Sequence, residues 1–88
     1  MARLSSKLSP KAKKSALAGG QDVLAFVELA GSADPTRIER ELAQAGVTRL
    51  QWLSAPRFIS VEIPSGKLTA LAELQDIVYI EVGEKMTL

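Results

Sequence analysis

This 88-residue chain contains no cysteine, no histidine and no asparagine. Without cysteine there is no disulfide, no thiol nucleophile and no thiolate metal site. Without histidine the usual proton shuttle and the commonest metal ligand are missing as well. The lack of asparagine closes N-glycosylation and most amide-based oxyanion holes. Aromatic residues are scarce: Phe26, Trp52, Phe58 and Tyr79 are all there are. No apolar run approaches the roughly 18 residues of a membrane span. Residues 1–20 also lack the apolar stretch of a signal peptide. These absences point to a cytoplasmic chain that binds no metal, cofactor or membrane and is held together by packing and sheet hydrogen bonds.

Apolar residues make up 47% of the chain, enough for one small folded domain. The charge is segregated. Arg3, Lys7, Lys11, Lys13 and Lys14 lie among the first 20 residues with no acid between them. The other 68 residues hold all ten acids and only six basic groups, so the globular part is mildly acidic. That argues against nucleic acid as a partner. Residues 1–20, rich in lysine and serine and closed by Gly19-Gly20, read as a flexible basic tail. A transit-peptide-like leader, or a tail that meets an acidic partner, is the competing reading.

Residues 23–29 read as a strand between Gly20 and Gly31. Asp34-Pro35 opens a helix, with Asp34 as cap and proline at the first position. Ile38, Leu42 and Ala45 recur at helical spacing, and Gly46 closes the element. Residues 47–53 form a second strand, 54–57 a turn, and 58–63 a third strand with strict alternation. Ser65 is expected to cap a second helix whose Leu68, Leu71 and Ala72 face inward. Residues 77–82 complete the set. The two strands that flank each helix are expected to be parallel neighbours. The order β-α-β-β-α-β predicts an α+β, ferredoxin-like domain over residues 21–82, with four antiparallel strands and both helices on one face.

Alternation assigns the faces. Val23, Ala25, Val27, Leu29, Leu50, Trp52, Ile59, Val61, Ile63, Val78, Ile80 and Val82 are expected under the helices. Leu24, Phe26, Leu53, Phe58 and Tyr79 are left on the open face, with Arg49, Glu28, Glu62 and Glu81 as a charged rim. An apolar patch inside a charged rim is the composition of a protein-binding surface. The shell hosts many functions, so the residues must decide. RNA binding would need sheet aromatics inside a basic motif, which is missing. Acylphosphatase-type chemistry needs an asparagine beside an arginine. Glu28, Glu62 and Glu81 sit on a solvated sheet rather than in a cleft, which argues against a carboxylate-pair enzyme.

The stretch Ser60-Val61-Glu62-Ile63, a leucine-rich helix 67–74, and Asp76-Ile77-Val78-Tyr79-Ile80-Glu81 leading into a short tail carry a further signal. In this order and spacing, residues 23–88 resemble the propeptides of subtilisin-like serine proteases and their stand-alone inhibitor relatives. The resemblance implies that the sheet face packs on two surface helices of the protease. It implies that an acidic residue after the last strand caps those helices, matching Glu81. The family's second acidic position falls on Gly83, with Glu84 one step later. It also implies that Glu84, Lys85, Met86, Thr87 and Leu88 lie product-like in the substrate cleft, with Leu88 in the primary pocket. A chain ending at Leu88 would then be a separate inhibitor or a chaperone in trans, not an enzyme. The alternative is a structural or regulatory interaction domain that uses the open face for dimerisation or another partner. A monomer is the default for the free chain.

Overall fold

The computed structural model describes residues 6–54 and 57–83. In chain order they form α1 (Pro10–Ala18), β1 (Asp22–Leu29), α2 (Pro35–Ala45), β2 (Arg49–Trp52), β3 (Phe58–Pro64), a 3-10 turn (Ser65–Lys67) running into α3 (Leu68–Ala72), and β4 (Ile77–Val82). The sheet order is β2-β3-β1-β4, antiparallel at every step. The domain is therefore α+β with the split β-α-β-β-α-β pattern. β1 runs parallel to β2 with β3 between them, and β3 runs parallel to β4 with β1 between. The strands joined through a helix are thus parallel but not neighbours, contrary to the simplest expectation.

Local chemistry explains the elements. Asp34 Oδ1 accepts from the Thr36 amide at 3.2 Å, Pro35 starts α2, and Gly46 ends it at φ 109°. That φ is a left-handed conformation open to glycine. Ile38 and Leu42 are the buried face of α2. Arg37 bonds Glu41 one turn on and reaches Asp76 at 3.7 Å, tying α2 to the turn before β4. Leu68, Leu71 and Ala72 go into the core as expected. Ser65 does not cap α3: its hydroxyl is buried without a partner, and a 3-10 turn opens the segment instead.

The core lies between helices and sheet. Ala25, Val27, Ile59, Val61, Ile63, Ile80 and Val82 supply the sheet side. Three expectations fail there. In β4 it is Ile77 that is buried with Ile80 and Val82, while Val78 is 46% exposed. The pairing slips between Glu28 and Leu29, so Tyr79 faces Glu28 but Ile77 faces Leu29. Val78 is the extra residue of a bulge, and alternation cannot run through a bulge. Trp52 shares the helix side with Ile59, its partner, yet it stays 39% exposed because β2 is an edge strand. Its indole N–H donates to Glu39 Oε2 at 2.7 Å, which satisfies the polar end.

The third failure is the basic tail. Residues 7–18 are part of the fold. Ser9 caps α1 by accepting from the Ala12 amide at 3.0 Å, and Pro10 occupies the first turn. Leu8 and Ala12 are buried in the core. Leu8 forms a parallel bridge with Ile80, through Ser9 N–H to Ile80 O at 2.9 Å and Ile80 N–H to Lys7 O at 2.8 Å. A short arm thereby covers the outer edge of β4. No helix among the described residues is long and apolar enough to cross a membrane.

Candidate functional site: the open sheet face

The helices lie on one side of the sheet, and among the described residues no helix lies on the other. Cross-strand register fixes what that open side presents. One row across the strands is Arg49, Glu62 and Leu24. The next is Gln51, Ser60, Phe26 and Glu81. The third is Phe58, Glu28 and Tyr79, with Leu53 beyond Phe58, its N–H donating to the Phe58 carbonyl oxygen at 3.0 Å. Phe26, Phe58 and Tyr79 are 39%, 36% and 38% exposed, while Leu24 and Leu53 are half-buried.

The expected aromatic residues are therefore on one face, but the charge layout differs from a rim. Glu28 lies directly between Phe58 and Tyr79 on its two neighbouring strands. Phe26 is two residues away on the same strand, facing the same way. Three aromatic side chains thus border one half-buried carboxylate. A partner that covers them must bring a donor to Glu28, because an unpaired carboxylate loses its hydration on burial. Arg49 and Glu62, directly opposite, pair at 3.6 Å and are exposed enough for water to weaken the pair.

Phe26 lies over the end of β4. A Cβ on Gly83 would fall 2.6 Å from Phe26 Cε2, so glycine there leaves room for the ring. The Gly83 amide donates to Leu24 O at 2.9 Å and holds the chain against β1 up to that point. The expected cleft residues Glu84, Lys85, Met86, Thr87 and Leu88 lie outside the described residues.

Glu81 has a role that the sequence did not suggest. Its Oε2 accepts from the Ser9 hydroxyl at 2.7 Å. A carboxylate expected to cap a partner's helices already serves the first turn of this chain's own α1. The legible signal was Ser9-Pro10, the same cap-and-proline pair that Asp34-Pro35 offers at α2.

The chain matches no family model, no curated protein and no solved structure. Its class is therefore given by the fold and the face alone: a split α+β sandwich whose helix-free sheet surface carries partly exposed aromatic residues.

Proposed function

We propose that this domain is a protein-binding module that inhibits a subtilisin-like serine protease. Its open sheet face docks on the enzyme, and residues 84–88 follow into the substrate cleft. The observation that carries the binding role is the exposure of Phe26, Phe58 and Tyr79 around Glu28 on the open side of the sheet. Aromatic anchors around a central acceptor suit a surface that offers apolar side chains and amide donors together, such as the N-terminal turns of surface helices. An extended segment in a cleft adds main-chain hydrogen bonds.

One observation favours the broader reading, an interaction domain for a different protein. Glu81 already accepts from Ser9 through Oε2, so a capping contact with a protease must use its remaining acceptor sites or displace that bond. Steady-state inhibition of a standard subtilisin separates the two. The intact chain is expected to inhibit competitively, and a chain ending at Gly83 to fail while staying folded. No inhibition by the intact chain, even at large excess over enzyme, overturns the protease reading and leaves the face to another partner.

A further inference from the structure

The two edges of the sheet are treated differently. The arm at Lys7 to Ser9 covers β4, whereas no described residue pairs with the outer edge of β2. The parity of that edge follows from one bond. Leu53 N–H donates to Phe58 O, so this pair is of the hydrogen-bonded kind. Alternation makes Gln51–Ser60 and Arg49–Glu62 the same kind. The N–H and C=O groups of Leu50 and Trp52 therefore point outward, as an unpaired ladder that can accept a strand. Beside it on the helix side, Leu42, Ala43, Val47 and Leu50 help to line a groove of about 310 Å³.

We propose that a second copy of this chain occupies this edge, β2 against β2, antiparallel about a two-fold axis at Gln51. In that register each Leu50 faces Trp52 of the other copy, and each such pair exchanges both backbone hydrogen bonds. Leu50 and Trp52 point to the helix side, so the half-exposed indole of one copy lies over the groove of the other. On the open face Gln51 meets Gln51, and each amide supplies both a donor and an acceptor. Arg49 faces Leu53, so no like charges oppose. A two-fold axis at Gln51 thus sets every outward backbone group of one strand against its counterpart in the other and opposes no like charges, which favours a second copy as the occupant. Two four-stranded sheets become one of eight strands, with both aromatic faces still free. The proposal revises the monomer default and does not depend on the protease reading.

Sedimentation equilibrium of the full chain over a wide concentration range tests it. The wild type is expected to dimerise reversibly. Gln51 is exposed, so Gln51→Lys and Gln51→Glu should each keep the wild-type circular dichroism yet become monomeric, because like charges then face across the axis. Mixing the two variants should restore a dimer. A wild type that stays monomeric overturns the proposal. So do variants that dimerise as strongly as wild type, or monomeric variants that remain apart when mixed.

Discussion

The Ser9 hydroxyl donates to Glu81 Oε2 at 2.7 Å while accepting from the Ala12 amide at 3.0 Å. A carboxylate on the last strand thereby reaches the first turn of the first helix through one oxygen. The relay orients the hydroxyl, so its lone pair is available to the amide. Ser9→Ala removes both bonds and should cost about 0.5–2 kcal/mol, the range for losing an N-cap. Glu81→Ala should cost less, since it leaves the cap itself in place. In urea denaturation the double variant should lose less than the two single losses added together, because both act on one relay. Strict additivity would show that Glu81 does not act through Ser9.

That relay also shows where the chain was legible and where it was not. The β-α-β-β-α-β order was legible because β3 alternates, β1 is an apolar run bounded by Gly20 and Gly31, and Asp34-Pro35 and Gly46 punctuate α2. α1 was not, because Leu8 and Ala12 are the only buried apolar residues of positions 7–18 and four lysines dominate that stretch. Capping chemistry marks it better than hydrophobic periodicity does. Val78 escapes alternation because a bulge adds one residue to a strand without changing its composition. Alternation gives Trp52 its correct side, but sidedness does not say how well an edge strand is covered. The aromatic residues of the open face were legible from alternation. The central place of Glu28 was not, since it depends on which strands are neighbours.

Phe58 and Ile59 are adjacent and face opposite ways, so together they test the register. Ile59 is fully buried, and Ile59→Ala should cost about 2–5 kcal/mol. A domain this small has little stability to spare. Phe58→Lys should cost less than about 1 kcal/mol and weaken binding to whatever covers the face. Thermal melts and a binding titration on both variants check the contrast. The reverse order of stabilities would place the core on the other side of the sheet.

Glu28→Gln keeps the shape of the side chain and removes its charge. If a partner brings a positive group or helix N–H donors to this position, affinity should fall by roughly tenfold, equivalent to about 1.4 kcal/mol. The melting temperature of the free domain should stay nearly unchanged, because Glu28 makes no salt bridge among the described residues. An unchanged affinity, measured by calorimetry against the same partner, would place Glu28 outside the contact.

Gly83→Ala pushes on Phe26. The added Cβ would stand 2.6 Å from Cε2 of the ring, closer than two carbons approach. Phe26 is partly exposed, so the ring can swing outward instead of straining the strand. Stability should change by less than about 1 kcal/mol, whereas the aromatic surface loses its arrangement. The expected result is weaker binding with a nearly normal melt. A large loss of stability would mean that Phe26 is held in place by the fold rather than free to move.

Leu8→Ala decides whether the amino-terminal arm belongs to the domain. Leu8 is 2% exposed and bridges Ile80 on the edge of β4. In a solvated tail the substitution would change nothing measurable. In the structure it removes a buried side chain from the core and should cost about 2–5 kcal/mol. Hydrogen exchange adds a second readout. The Ile80 amide donates to Lys7 O, and the Ser9 amide donates to Ile80 O. Both should exchange faster in the variant, and faster than the amides that pair β1 with β3. That pattern would show the arm opening before the sheet does. If melting and both exchange rates match wild type, the arm does not hold the β4 edge.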